Sequence, residues 1–303
     1  MKTKILLLTL AAITICGCRD NNPEQGVKGV EHVVVIGLDG FAGWTADSVD
    51  MPFLKDMMKE GAWTVKSRSI LPSSSACNWM SMFCGACVEM HGYNTWGSRE
   101  PDFEPISEGV DGMYPTIAYV IRQNAPECKM GAFYEWDGIE YVIGKQYFDE
   151  YKQVYGGENG GALAHATCEY IKAEKPRLVL SIFDTPDHEG HKYGWNSPEY
   201  KAALTGRDLR IREIVEATKE AGIYDSTVFF VVSDHGGFEN DHGSTLMEHM
   251  NGVWYAFGKG VRKGHEVASS VMRFDTAPTI AWIFGYECPD LWRGKPRTEF
   301  FEE

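Results

Sequence analysis

Six acidic and imidazole side chains stand at positions where they could bind metal: Asp39, Asp187, His191, Asp234, His235 and His242. Asp187 and His191 lie in "TPDHEGHKYG", four residues apart. They share one face if the segment makes a helical turn, and carboxylate and imidazole are ordinary zinc ligands. The same letters also suit a polar loop closing an apolar strand. Asp39, in "GLDG", has flanking glycines that permit close backbone approach, although a turn aspartate bonding its own backbone fits as well. Asp234 and His235, in "SDHGG", would point to opposite faces of a regular strand. One site takes both only if the chain bends, which Gly236 and Gly237 permit; the alternative is a hydrogen-bonded pair. His242, in "NDHGST", adds an imidazole beside a glycine, or else a solvated loop histidine of the kind expected for His249 and His265.

A nucleophile is available in "LPSSSACNWMSMFCGA", Leu71 to Ala86. Ser73, Ser74 and Ser75 precede an apolar helical pattern that contains Asn78. Such serines ordinarily cap a helix. The same place puts a hydroxyl beside free backbone N–H groups, which hold phosphate, and a metal can acidify it into a nucleophile.

The elements that must position these residues are legible as apolar runs. His32 to Leu38, Arg177 to Thr185 and Ser226 to Gly237 each read as a buried strand ending in an acid-bearing loop. Helical patterns cover Met51 to Glu60, Ala76 to Cys84, Tyr114 to Asn124, Gly161 to Ala173 and Pro198 to Ala221. "GVWYAF" adds a strand, and a C-terminal helix is entered through Asp275. The alternation predicts an α/β fold: a three-layer sandwich with a mostly parallel central sheet and helices on both faces. Ligands of such sheets bind beyond the carboxyl ends of the strands, where Asp39, Asp187, Asp234 and His235 all fall. Residues 88–160, rich in Gly, Tyr, Trp and acids, are expected to form loops or a small cap; residues 31–303 would make one domain.

The formal net charge of −14 argues against binding to a nucleic-acid duplex. It does not exclude a small phosphorylated substrate, because bound metal would make the site locally positive. The start "MKTKILLLTLAAITICGC" reads as an export signal over residues 1–17, its apolar run being short for a membrane span. "ICGC" resembles a bacterial lipobox, which implies a lipid on Cys18, a tether over residues 18–30 and a membrane-anchored exported protein. Cys77, Cys84, Cys87, Cys128, Cys168 and Cys288 form no dense framework, and the Cys84–Cys87 pair is expected to serve packing.

Taken together, "VVVIGLDGF", "PSSSACNWMSMFCGA", "DTPDHEGHKYG", "VVSDHGG" and "HGST…GVWYAFGKGVRKG" resemble, in order, the motifs of the alkaline phosphatase superfamily. The similarity is greatest to its type I phosphodiesterase / nucleotide pyrophosphatase branch. The resemblance implies two zinc ions per chain: one held by Asp39, Asp234, His235 and the nucleophile, the other by Asp187, His191 and His242. The branch's nucleophile stands three residues before an asparagine, which maps onto Ser75 and Asn78, with serine here for the usual threonine. It further implies hydrolysis of phosphodiester or pyrophosphate bonds through a phosphoserine intermediate, with Asn78 donating to a non-bridging oxygen. The alternatives are a phosphomonoesterase of the same superfamily and a non-catalytic surface lipoprotein that binds a phosphorylated or sugar ligand. A sulfatase is disfavoured because "SSACNWM" lacks the Pro and Arg of C/S-x-P-x-R.

Overall fold

The computed structural model describes residues 26–302, apart from 108 and 110. The export signal, Cys18 and most of the tether lie outside the described residues. The last part of the expected tether is already packed: Val27 donates its N–H to the Ile283 carbonyl, and Val30 is buried.

Eight strands form one sheet: β1 (His32–Leu38), β2 (Gly61–Arg68), β3 (Met130–Tyr134), β4 (Glu150–Gln153), β5 (Leu178–Phe183), β6 (Thr227–Val232), β7 (Asn251–Gly258) and β8 (His265–Glu266). Their order is β4-β3-β5-β1-β6-β7-β2-β8, and β7 runs against the others. The strands β1, β5 and β6 are buried along their whole length, as parallel strands covered on both faces must be. The helices are α1 (Pro52–Lys59), α2 (Ser75–Cys84), α3 (Val88–His91), α4 (Ile117–Asn124), α5 (Gly161–Glu174), α6 (Asp187–Tyr193), α7 (Pro198–Glu220), α8 (Met247–Met250) and α9 (Thr276–Ile283).

Strand periodicity divides the core in two. Val33 and Val35 of β1 pack with Trp79 and Phe83 of α2, Ile121 of α4 and Ile280 of α9. Val34, Ile36 and Leu38 pack on the opposite face with Leu54 of α1, Ile171 of α5, and Leu204 and Ile211 of α7. The expected three layers are therefore present. Helix α7 starts at the Ser197–Pro198 pair, where the Ser197 side chain accepts from the Tyr200 N–H and proline needs no donor. From its buried face Asp208 accepts the N–H groups of Phe53 and Leu54, 2.8 Å each, and so caps α1.

Two differences from the sequence reading concern the sheet. Within residues 88–160, besides the expected helix now seen as α4, lie β3 and β4, which extend the sheet beyond β5, and α3; that segment is not only loop and cap. Strand β2, in "GAWTVKSR", is a strand that the sequence reading did not include; its register against β7 shifts between Thr64 and Ser67.

Candidate active site

The order of the central strands assembles the acidic residues. β1 lies between β5 and β6, with Leu38 opposite Phe183 and Gly37 opposite Val232. Asp39, Asp187 and Asp234 thus leave three adjacent strand ends. The Asp187 N–H donates to the Asp39 carbonyl at 3.0 Å, and the Gly40 N–H donates to Asp234 Oδ1 at 3.2 Å. Gly40 has φ +70°, and a Cβ there would come within 2.9 Å of the Asp187 side chain. Glycine is what lets these carboxylates meet. Past Val232 the chain leaves the strand, so Asp234 and His235 both turn inward and are fully buried. Gly236 serves close approach: a Cβ on it would sit 2.2 Å from the Glu248 carbonyl oxygen.

Two groups of ligand atoms result, each gathered within 4.8 Å: Asp39, Asp234 and His235 in one, Asp187, His191 and His242 in the other. They adjoin, since His235 Nε2 is 4.0 Å from Asp187 Oδ1 and the His235 and His242 rings stack at 3.8 Å. The segment carrying Asp187 and His191 is helical, and His191 Nε2 is 3.4 Å from Asp187 Oδ2. Every imidazole uses Nδ1 toward a backbone carbonyl: His235 to Gly236 (2.7 Å), His191 to Asn240 (3.0 Å) and His242 to Ser73 (3.0 Å). A carbonyl only accepts, so Nδ1 carries the proton and Nε2 is left to face the carboxylates. Burial pushes His235 and His242 down to about 3, keeping both neutral, and a neutral Nε2 is a metal donor.

Buried carboxylates packed this closely favour either protonation or a bound cation. Burial first, then the neighbouring carboxylates, push the Asp39 and Asp187 carboxyls well above the usual range. Burial raises Asp234 to about 6. Asp187 Oδ1 and Asp234 Oδ2, one in each group, are buried without a hydrogen-bond donor. An orphaned carboxylate oxygen costs about 1–3 kcal/mol or more. Divalent metal in each group would satisfy both oxygens and offset the crowded negative charge, so these residues fit the two metals expected of them.

Ser75, the first residue of α2, faces this centre. Its Oγ is 3.1 Å from His235 Nε2 and 3.5 Å from Asp39 Oδ1. Ser73 is turned away, its Oγ donating to the Ser244 carbonyl at 2.8 Å. Asn78 departs from its expected role. It is fully buried, its Oδ1 accepts from the Ile70 N–H, and its two amide hydrogens go to the Pro72 and Ser74 carbonyls. No donor of Asn78 is left for a phosphate oxygen; the side chain pins the serine loop instead. His188 is exposed and outside both ligand groups. His249, expected to be solvated, is buried against Ser244.

Other contributors escaped the sequence reading. Trp79 Nε1 donates to Asp39 Oδ2 at 3.0 Å, one helical turn beyond Ser75, a spacing that could have flagged it. Arg273, fully buried, donates Nε to the Asp234 carbonyl at 2.9 Å. Trp195 holds the Gly40 carbonyl and lies edge-on to His191. Ser75 and Asp187 open into a cleft of about 560 Å³ whose lining includes Trp96 and Trp136 and, among the described residues, no Lys or Arg. Those two indoles stack with centroids 6.4 Å apart.

Comparison with known proteins bears on the family and the fold. The family model of type I phosphodiesterase / nucleotide pyrophosphatase matches residues 33–252, from β1 through the start of β7. The chain belongs to that family. Among relatives of this phosphodiesterase family, bis(5'-adenosyl)-triphosphatase of Bos taurus is 22% identical over 243 residues, 77% of this chain and 52% of its own length. Ectonucleotide pyrophosphatase/phosphodiesterase family member 7 of Rattus norvegicus is 26% identical over 250 residues, 76% of this chain and 55% of its own. The chain therefore spans about half the length of these relatives. An inactive variant of murine ectonucleotide pyrophosphatase/phosphodiesterase 5, solved with AMP, superposes with a TM-score of 0.73 at 15% identity, over 90% of this chain and all of that one. A 2-O glycosaminoglycan sulfatase shares the fold with a TM-score of 0.72 at 11% identity, over 89% of this chain and 74% of its own.

Proposed function

We propose that the protein hydrolyses phosphodiester or pyrophosphate bonds with two zinc ions and a phosphoserine intermediate on Ser75. The observation that carries this reading is the position of Ser75 Oγ within 3.5 Å of both Asp39 and His235, beside a second ligand group that opens into the cleft. Zinc in the two groups would supply Lewis acidity and lower the pKa of the Ser75 hydroxyl. Ser75 Oγ, its proton lost to solvent, bonds to phosphorus as the bond to the leaving oxygen breaks. Water then attacks the phosphoserine and Ser75 leaves, regaining a proton. Trp79 holds Asp39 and Arg273 holds the Asp234 backbone, so the ligands need not reorganise during turnover.

With Asn78 engaged elsewhere, the diester preference rests on charge. The attacked phosphoryl group of a diester or pyrophosphate carries one negative charge fewer than that of a monoester, and among the described residues no Lys or Arg lines the cleft to compensate the second. Trp96 and Trp136 suit a planar group at the mouth, and nucleotides are what the names of several relatives mention. Export and anchoring through a lipid on Cys18 complete the reading and rest on the sequence motif. Among the described residues no helix is long and apolar enough to cross a membrane.

The test is a substrate panel with zinc analysis. A p-nitrophenyl phosphodiester and a dinucleoside polyphosphate should turn over faster than p-nitrophenyl phosphate, and Ser75→Ala should lose roughly a thousandfold or more in kcat. Faster monoester hydrolysis would move the reading to a phosphomonoesterase. Metal-free protein without turnover would leave the binding lipoprotein.

A further inference from the structure

His242 poses a physical problem. It completes the second ligand group, yet it sits in a run, Phe238 to Met247, whose residues are almost all exposed. An exposed loop pays conformational entropy to hold any one geometry, and a ligand must be held to a few tenths of an ångström. Something buried has to fix this loop from beneath.

Two buried polar side chains meet it there: Ser73, fully buried, and His249, 5% exposed. The Ser73 carbonyl accepts the Nδ1–H of His242 at 3.0 Å, and the Ser73 hydroxyl donates to the Ser244 carbonyl at 2.8 Å. One residue thus grips the loop on both sides of Gly243. Ser244 is gripped again from below. Its N–H donates to His249 Nδ1 at 3.3 Å, and its Oγ lies 2.9 Å from the same nitrogen. The His249 carbonyl accepts the Gly236 N–H at 2.7 Å, next to His235 of the first group. The bonds form a circuit from Gly236 through His249, Ser244 and Ser73 to His242, and Ser73 is two residues from the nucleophile.

We infer that Ser73 and His249 are positioning residues for the second metal, locking the His242 loop to the nucleophile loop and to the first ligand group. The inference rests on the two-metal reading above. It also divides the serine run: Ser75 does the chemistry, while Ser73 aims a ligand.

The test uses metal alone. Apoprotein is titrated with Co²⁺, following ligand-field absorption and calorimetric stoichiometry, for wild type, Ser73→Ala, His249→Ala and His249→Gln. Wild type should bind two equivalents. Ser73→Ala and His249→Ala should weaken the second equivalent about 10–100-fold and leave the first within about twofold, the usual cost of losing an outer-shell partner. His249→Gln, which keeps an acceptor for Ser244, should recover most of the loss. Unchanged affinity in both alanine variants, or equal weakening of both equivalents, would overturn the positioning role while leaving the two-metal reading intact. Fewer than two equivalents in wild type would bring down that reading and this inference with it. A variant that failed to fold would lose both equivalents; Ser73→Ala and His249→Ala sit on different elements, so selective loss in either one that folds still decides.

Discussion

The two ligand groups are built from the same residue types but anchored in different ways. Asp39, Asp234 and His235 follow central strands, are buried, and are braced by Trp79, Gly40 and Arg273. Asp187, His191 and His242 sit on a seven-residue helix and an exposed loop, and the His191 side chain is 43% accessible. The inner group has its geometry imposed by sheet register, whereas the outer group is assembled from segments that could separate. A nucleophile needs a fixed partner, and Ser75, the proposed nucleophile, touches the inner group. Leaving groups and water need room, and the outer group faces the cleft.

Removing a ligand from each group should show the contrast most strongly. Asp234→Asn keeps the shape and the oxygen that accepts from Gly40, but loses a charged ligand at a position no solvent reaches. Its kcat should fall by roughly a thousandfold, and excess zinc should not restore it. His242→Ala should weaken the outer metal by at least about a hundredfold, yet millimolar zinc should recover much of the rate, because this group adjoins the cleft and His191 is open to solvent. Activity measured against free zinc concentration distinguishes the two. If zinc rescued Asp234→Asn and failed to rescue His242→Ala, the assignment of rigid and open groups would be reversed.

Part of this could be read in the sequence. Apolar runs announce buried strands, and ligands of such sheets lie at their ends, which put Asp39, Asp187, Asp234 and His235 at one edge of the sheet; their division into two groups came from the family resemblance. The i,i+4 spacing placed Asp187 with His191. Asn78 was misread because residue type does not reveal where an amide points; the Ile70, Pro72 and Ser74 groups that claim it are satisfied only once the loop has folded. The bracing from Arg273 and His249 comes from residues distant in the chain from Asp234 and Ser73 and has no local signature. Asn78 can be tested as a brace. Asn78→Ala strands a buried N–H and two carbonyls, and should cost about 3 kcal/mol of stability, seen as a lower urea midpoint at unchanged slope. KM in the folded fraction should stay near wild type, where a phosphate-binding role would raise it.

The smallest effect separates histidines that wait for metal from one that does not. His91 is as buried as His235, but both its nitrogens are used within the protein: Nδ1 accepts the Tyr93 N–H at 3.1 Å, and Nε2 meets Ser81 Oγ at 2.8 Å. Burial depresses it from 6.5 to about 3. Between those values the unfolded chain binds a proton that the folded chain refuses. Its stabilising contribution is therefore complete above pH 6.5 and is lost as pH falls toward 3, by about 1.4 kcal/mol per pH unit for one proton. Zinc should not alter this part of the profile, since His91 has no free donor atom to offer. In zinc-saturated protein, urea midpoints between pH 7 and 5 should fall less steeply for His91→Gln than for wild type, by about one proton. For His235 and His242 the zinc itself should change the slope, because their Nε2 atoms are the ones that a metal would take.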